Sequence, residues 1–255
     1  MRKIIKNSKY PGFVLQCNEQ LVLDSGKTLD EFEIAYQTYG ELNDNKSNAI
    51  FVCHALTGDH FPAEKNPITK KTGWWDLMIG PGKTIDTNKY FVVCSNVLGG
   101  CVGTTGPNEI NPKTNKIYGI EFPTITIQDM VRVQKILVDE LKIDKLLSVV
   151  GGSMGSMQVL QWAATYPESL RSIISIAGAL KHSAQNIAFD EAGRQSIMLD
   201  PNWKKGNYII EDTKPENGLS VARMIAHITY LSDAAFQKKF GRNLQEKQDL
   251  SFGFD

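Results

Sequence analysis

The serine at position 153 lies in a pattern that is typical of a catalytic nucleophile. Residues 151–155 read GGSMG, of the form G-x-S-x-G, and separate a strand-like apolar run (146–150) from a segment of helical periodicity. A sharp strand–turn–helix connection leaves room for little beyond glycine beside the nucleophile, and it presents the Ser153 hydroxyl at the carboxyl end of the strand. A glycine-rich turn without chemistry is the alternative, since so short a pattern also occurs by chance. The strand and helix on either side favour the nucleophile.

A serine that attacks a carbonyl also needs two N–H groups to hold the resulting oxyanion. The backbone N–H of Met154 is one expected donor, because it follows the nucleophile at the free start of a helix. The loop after an earlier central strand should supply the other, and there we predict the N–H of Leu56. In the same loop His54 precedes Ser153, whereas a triad on such a sheet places its base last in the chain. We therefore interpret His54 as a packing or hydrogen-bonding residue.

Short apolar runs separated by helical segments predict the sheet that positions these groups. Because most of the runs are apolar on both faces, we expect an α/β fold with a mostly parallel sheet and helices on both sides. The expected strands lie at 33–39, 49–53, 90–94, 146–150 and 172–176.

Two helices and two long loops connect these strands. Thr126 is the expected N-cap of the first helix, with Asp129 in the capping-box position. The second helix is expected at 154–166, directly after the nucleophile. The stretches 57–88 and 101–123 are expected to be long irregular loops, which are often functional when they adjoin strand ends.

The chain changes character after residue 180. Three segments have helical periodicity, at 181–198, 219–231 and 233–240, and no strand-like run lies between them or after residue 240. We predict an incomplete core at 1–180 and the start of a helical lid at 181–255.

The composition argues against several classes of function. The 255 residues carry 28 Lys+Arg and 28 Asp+Glu, a balance that gives no support to binding of nucleic acid or of a membrane surface. No apolar run has transmembrane length and the N-terminus lacks the apolar segment of a signal peptide, so we expect a cytoplasmic protein. The cysteines form no C-x-x-C pair, so neither disulfides nor a metal site is expected, and Cys53 and Cys94 are expected to be buried.

Three longer motifs resemble those of homoserine O-acetyltransferases. They are HALTGD at 54–59, NVLGGCVGTTGP at 96–107 and GGSMGSMQ at 151–158, and the shorter GWWD, IGPGK and DPNW at 73–76, 79–83 and 200–203 fit the same family. The resemblance runs from about residue 21 to 242. It implies an α/β-hydrolase fold with a helical lid, and transfer of an acetyl group from acetyl-CoA to the hydroxyl of L-homoserine in methionine biosynthesis. It also implies a homodimer.

The resemblance assigns roles to five residues. Ser153 falls on the nucleophile, Leu56 and Met154 fall on the oxyanion-hole positions, and Arg223 and Tyr230 match the family's homoserine-binding residues. A planar guanidinium suits bidentate capture of an amino-acid carboxylate, and residues seven apart share a helix face. Without the resemblance, Arg223 reads as a solvated charge and Tyr230 as a buried aromatic residue.

The sequence departs from the family pattern at two places. Ser156 stands where the family has glycine, and its side chain is expected to crowd the packing of helix on strand. In this fold the triad runs serine, acid, histidine, yet the only histidines after Ser153 are His182 and His227, and neither follows a strand-like run. We expect the last strands to be missing, with about 100 residues that hold the triad acid and base, so that residues 1–255 alone show little turnover.

Other readings of the same residues remain open. Within the family, succinyl transfer to homoserine or acyl transfer to serine needs only small changes in the acyl and substrate pockets. The nucleophile motif also fits an esterase or another hydrolase. A third reading is an inactive fragment without the triad Asp and His. No metal or bound organic cofactor is expected, and acetyl-CoA would be a substrate.

Overall fold

The computed structural model describes residues 1–6 and 12–241, which divide into two compact units, the first ending at Leu180 and the second beginning at Lys181. The stretch after residue 241, for which the sequence predicts no strand, lies outside the described residues.

A seven-stranded mixed sheet forms the centre of the first unit. In chain order its strands are β1 (Arg2–Lys6), β2 (Phe13–Cys17), β3 (Phe32–Tyr39), β4 (Ala49–Cys53), β5 (Phe91–Ser95), β6 (Ser148–Gly152) and β7 (Ile173–Ile176). Their order across the sheet is β1-β2-β3-β5-β4-β6-β7, antiparallel from β1 to β5 and parallel from β5 to β7. The predicted α/β fold with a mostly parallel core is thereby confirmed.

The two N-terminal strands were not predicted from the sequence. Strand β2 pairs with β3 over its full length, and Phe13 stacks on Tyr36 with ring centroids 5.5 Å apart. Strand β1 is the edge of the sheet and is largely exposed. These strands depend on pairing with a distant strand, which a local pattern does not record.

Helices α1 (Ile127–Glu140) and α2 (Met154–Thr165) pack on one another, and α2 also contacts β4, β6 and β7. The predicted capping box is present, because Thr126 Oγ1 accepts from the Asp129 N–H and the Asp129 carboxylate accepts from the Thr126 N–H. A large apolar cluster fills the space between helices and sheet, with Phe51 and Trp162 among its fully buried side chains. Cys53 and Cys94 are buried as predicted.

The two long loops contain more regular structure than expected. Residues Ile79–Gly80 pair with Ile85–Asp86, and Ile110–Asn111 pair with Lys116–Ile117; a third short pair joins Leu21–Val22 to Thr28–Leu29. One-turn 3-10 helices lie at Gly119–Glu121 and Pro167–Ser169.

The loop at 96–107 is fastened to strand β3 by side chains. Thr104 Oγ1 accepts from the Ala35 N–H and donates to the Asn96 carbonyl, at 2.9 and 2.8 Å. Thr105 Oγ1 accepts from the Glu33 N–H at 2.8 Å. These bonds satisfy backbone groups near the start of β3 and give the loop a fixed position.

The second unit consists of helices in its described part, as the sequence predicts. Helices α3 (Ala184–Met198) and α4 (Glu216–Tyr230) pack closely, and α5 (Asp233–Phe240) follows. A Cβ at Gly218 would lie 2.5 Å from the Ser196 carbonyl oxygen, so only glycine permits the contact between α3 and α4 there. The turn Pro201–Gly206 is held by Asp200, whose carboxylate accepts from the N–H groups of Gly218 and Asn202.

No helix within residues 1–6 and 12–241 is long and apolar enough to cross a membrane.

Candidate active site

Ser153 has the backbone geometry of a nucleophile elbow. It lies between β6 and α2 with φ 56° and ψ −121°, and its side chain is exposed. Its N–H donates to the Ile176 carbonyl on the neighbouring strand at 3.0 Å. A positive φ at a residue with a Cβ costs on the order of 1–3 kcal/mol, and such strain persists only where the surrounding structure imposes it.

The first and last glycines of the motif impose that geometry by close approach. A Cβ at Gly155 would overlap the Cys53 carbonyl oxygen, and one at Gly151 would lie 2.7 Å from the backbone of Gly155. At Gly152 the nearest atom to a Cβ would be 3.9 Å away, an ordinary contact. The helix therefore begins directly against strands β4 and β6, and Ser153 is left on the outside of the turn.

The two predicted oxyanion donors lie at the ends of adjacent parallel strands. Met154 follows β6 and Leu56 follows β4, and β4 and β6 are paired through Cys53 and Gly151. Neither backbone N–H makes a hydrogen bond to another residue that the structure describes. Leu56 is 74% exposed, so this residue lies at the surface rather than in the core. The structure thus places Ser153, Met154 and Leu56 together at the carboxyl ends of two adjacent parallel strands.

His54 is buried and both of its ring nitrogens are engaged. Nε2 accepts the Val97 N–H at 3.0 Å, so the ring proton is on Nδ1, which donates to the Ala55 carbonyl at 2.7 Å. Burial lowers the pKa of the imidazole, although the hydrogen bond to the Ala55 carbonyl and the carboxylate of Asp59 act in the opposite direction. A neutral histidine with both nitrogens occupied has no site for the serine proton, in agreement with its interpretation as a hydrogen-bonding residue.

A chain of buried side-chain amides connects this loop to helices α1 and α2. Gln158 Nε2 donates to the His54 carbonyl at 3.1 Å and to the Met154 carbonyl at 3.2 Å. Gln158 Oε1 accepts from Gln134 Nε2 at 2.6 Å, and Gln134 Oε1 accepts from Trp162 Nε1 at 2.7 Å. The sequence did not single out either glutamine. A glutamine amid the apolar stripe of a helix was the available signal.

Ser156 does not crowd the elbow in the way that was expected. It is fully buried, and its hydroxyl is hydrogen bonded to that of Ser175 on β7. Gly178 faces the same hydroxyl and leaves space for it, since a Cβ at that position would overlap the Ser156 Oγ. The additional side chain is therefore accommodated by a small neighbour and a polar partner.

Arg223 and Tyr230 lie on helix α4 of the second unit, and both side chains are exposed. Arg223 forms no ion pair with any other residue among 1–6 and 12–241. Tyr230 is 80% exposed, so it is not a core aromatic residue in the described structure. Among the described residues, both side chains leave surface that a ligand could contact.

The remaining histidines after Ser153 are also in the second unit. His182 precedes α3 with Nδ1 3.6 Å from the Asp190 carboxylate, and His227 lies within α4. Within the described ranges, no group of three or more His, Cys, Asp or Glu side chains is arranged to hold a metal ion.

Comparison with known proteins agrees with this geometry. Residues 48–253 match the family described as alpha/beta hydrolase fold. The homoserine O-acetyltransferase of Mesorhizobium japonicum is 59% identical over 238 residues, which are 93% of this chain and 61% of that protein. That of Rhodospirillum rubrum is 58% identical over 233 residues, 91% of this chain and 60% of that protein. The crystal structure of homoserine O-acetyltransferase from Bacillus anthracis superposes with a TM-score of 0.83 at 31% identity, covering 100% of this chain and 67% of that one.

This chain belongs to the homoserine O-acetyltransferase family of α/β hydrolases.

The chain spans about 60% of the length of the homoserine O-acetyltransferases that it matches. A structural neighbour with a different name, esterase E22, has a TM-score of 0.81 at 34% identity and covers 96% of this chain and 67% of its own. Proteins named as acyltransferases and as esterases therefore share this fold.

Proposed function

We propose that the protein transfers an acetyl group from acetyl-CoA to the hydroxyl of L-homoserine through an acetylated Ser153. The observation that carries the proposal is the exposed Ser153 hydroxyl on a strained turn, beside the N–H of Met154, which makes no hydrogen bond to another described residue. This arrangement suits nucleophilic attack on a thioester, and the family relationship supplies the two substrates.

The first half-reaction forms an acetyl-enzyme. Ser153 Oγ bonds to the carbonyl carbon of the thioester and gives its proton to a general base. The N–H groups of Leu56 and Met154 hold the tetrahedral oxyanion. The carbon–sulfur bond then breaks, and the coenzyme A thiolate leaves with the proton that the base returns.

The second half-reaction transfers the acetyl group to homoserine. The carboxylate of homoserine binds Arg223, whose guanidinium offers two parallel N–H donors, and Tyr230 contacts the same substrate. The homoserine hydroxyl gives its proton to the same base and bonds to the acetyl carbon. The bond from Ser153 Oγ breaks, the serine recovers its proton, and O-acetylhomoserine leaves. Methionine biosynthesis is the pathway that this product implies.

The general base is not His54, because both of its ring nitrogens are bonded to backbone groups. We propose a triad histidine and acid that follow Ser153 in the order of this fold. No described residue is assigned to either role.

The proposal extends to partners and compartment. It needs no metal and no bound organic cofactor, since both substrates supply the reacting groups. Neither nucleic acid nor a membrane takes part. A homodimer in the cytoplasm is what the family relationship suggests.

Separate measurement of the two half-reactions tests the proposal. The intact protein is mixed with acetyl-CoA alone, and both thiol release and the mass of the peptide that contains Ser153 are followed. We expect a burst of coenzyme A and one acetyl group on Ser153, which L-homoserine then removes. Release of coenzyme A only when homoserine is present, with no acetylated serine at any time, would contradict the two-step mechanism.

Hydrolysis of esters is the second candidate function, and the similarity to esterase E22 favours it. The two functions differ in whether water or homoserine takes the acetyl group. Competition between water and L-homoserine for the acetyl-enzyme distinguishes them. L-Serine in place of homoserine, and succinyl-CoA in place of acetyl-CoA, test the other specificities within the family.

A further inference from the structure

The peptide group between Ala55 and Leu56, which carries the second proposed oxyanion donor, is contacted by the buried side chain of His54. We propose that His54 is a positioning residue that aims the Leu56 N–H at the oxyanion, and that Gln158 holds His54 in place. The inference rests on the proposed function, because it assigns a purpose to the oxyanion hole of Ser153.

The Leu56 N–H belongs to the same peptide group as the Ala55 carbonyl. All described peptide bonds are trans, so the N–H and C=O of this group point in opposite directions. The Ala55 oxygen accepts from His54 Nδ1 at 2.7 Å and from the Gly58 N–H at 2.9 Å. Two donors to the carbonyl oxygen at one edge of the planar peptide group therefore fix the direction of the N–H at its opposite edge.

The imidazole of His54 is itself held rigidly in the tautomer that this task requires. The Val97 N–H occupies Nε2 and forces the proton to Nδ1. Val97 belongs to the loop 96–107, which Thr104 fastens to strand β3. A continuous series of hydrogen bonds thus connects the sheet to the Leu56 peptide. This connection gives the 96–107 loop a role.

The backbone of His54 is fixed from the opposite side by helix α2. Gln158 donates to the His54 carbonyl from the same helix that presents Ser153 and Met154. Its amide also bonds the Met154 carbonyl, so a single side chain connects the two segments that carry the oxyanion donors. Gln134 fixes the orientation of this amide by donating to its oxygen. Gln158 is fully buried, where an unpaired amide is costly, so the arrangement is specific.

Two substitutions of His54 separate positioning from stability. In His54→Asn the side-chain amide keeps a donor near the position of Nδ1 but loses the acceptor for Val97. In His54→Gln an acceptor near Nε2 is kept and the donor to Ala55 is lost. An unpaired buried N–H is costly, so we expect the Asn variant to be the less stable of the two in urea unfolding. In activity we expect the opposite order, with His54→Asn more active than His54→Gln, because it keeps the donor to Ala55.

The activity is measured on the intact protein with p-nitrophenyl acetate and with acetyl-CoA. We expect kcat/KM to fall about 10- to 100-fold in His54→Gln, with KM nearly unchanged, and only a few-fold in His54→Asn. Methyl trifluoromethyl ketone mimics the acetyl group, and its adduct with serine carries an oxyanion. The affinity for this ketone should fall by the same factor as kcat/KM. An activity order that follows the stability order, or a loss that lies in KM alone, would overturn the inference.

Substitutions of glutamine give an independent comparison on one helix. Gln158→Met removes the donor to His54 and should lower kcat and ketone affinity together, by about tenfold. Gln161→Met is the matched control, because Gln161 lies on the same helix and its side chain bonds, among the described residues, only that of Thr165, at 2.7 Å. Equal activity of the two variants would contradict the role of Gln158. If Gln158→Met does not fold, Gln134→Met tests the same chain and should give a smaller loss of the same kind.

The substrate panel separates this inference from the proposed function. Retained turnover of p-nitrophenyl acetate without any reaction with acetyl-CoA would overturn the acetyl-transfer function alone. Turnover of p-nitrophenyl acetate that survives Ser153→Ala would overturn both, because the oxyanion hole would then serve no nucleophile.

Discussion

The elbow around Ser153 and the exposed face of helix α4 carry the two halves of the proposed chemistry, and they are built in different ways. At the elbow, Gly151 and Gly155 approach neighbouring backbone so closely that only one arrangement fits, and Ser153 keeps a positive φ. On α4, Arg223 and Tyr230 project from a regular helix, and both are exposed.

This contrast teaches where physical argument alone identifies function. Backbone strain at the elbow costs free energy of folding, and the close packing of Gly151 and Gly155 maintains it, so the geometry itself indicates chemistry. An exposed arginine on a helix costs nothing and is common in any protein. The role of Arg223 therefore depends on the family relationship, and it needs experimental support more than the role of Ser153 does.

Removal of the nucleophile gives the largest expected effect. Ser153→Ala should lower kcat/KM for acetyl transfer by about 10⁴-fold or more, because the residual rate then comes only from binding and the oxyanion hole. Coenzyme A release in steady state measures the loss. Ser172→Ala is the control, since Ser172 is exposed and, within the described residues, its hydroxyl bonds only the Leu147 carbonyl. Activity within tenfold of the unaltered protein would show that the elbow does not carry the nucleophile.

Two glycines of the same motif should differ sharply in their effect on stability. Gly155→Ala places a Cβ on the Cys53 carbonyl oxygen, and we expect it to lower the free energy of unfolding by about 3 kcal/mol. Gly152→Ala meets nothing nearer than 3.9 Å and should cost less than about 1 kcal/mol. Urea unfolding of the two variants tests the difference. Equal losses would mean that close approach does not determine the elbow.

Loss of the exposed Arg223 on helix α4 should impair only one half-reaction. Arg223→Ala should raise KM for L-homoserine about 10- to 100-fold and leave acetylation of Ser153 by acetyl-CoA unchanged, because only the second substrate has the carboxylate. Arg194→Ala is the matched control, as an exposed arginine in the same unit whose one ion pair with a described residue is to Glu191. Slower acetylation in Arg223→Ala would instead indicate a role in the fold or in the first half-reaction.

Much of the first unit could be predicted from the sequence because its signals are local. Strand β4 matches the apolar run 49–53 without change, and the capping box at Thr126 marks the start of α1. Strand β6 was placed two residues early, since the glycines that end it carry no strand signal. The N-terminal strands were missed because β2 gains its stability from a partner that lies elsewhere in the chain.

The candidate site shows the same division between local and distant information. The nucleophile and Met154 follow from a five-residue motif and its neighbouring elements. Gln134 and Gln158 do not, because a buried amide is tolerated only when tertiary partners satisfy it, and those partners are far apart in sequence. The role proposed for His54 depends on the two backbone groups that its ring contacts, and the sequence does not reveal which groups these are.

The buried His54 near the elbow should make the stability of the protein depend on pH. This is the smallest of the expected effects. Burial lowers the pKa of His54 below the ordinary histidine value of about 6.5, so the unfolded chain binds a proton there that the folded protein excludes. The contribution of His54 is therefore fully present above about pH 6.5 and is lost as the pH falls below it. His54→Gln should flatten the decline in unfolding free energy between about pH 7 and pH 5, a window above the titration of ordinary carboxylates. His182→Gln, which removes a part-exposed histidine of the second unit, should leave that decline unchanged. If both variants keep the full slope, protonation of His54 does not oppose folding, and the ring is less enclosed than its contacts indicate.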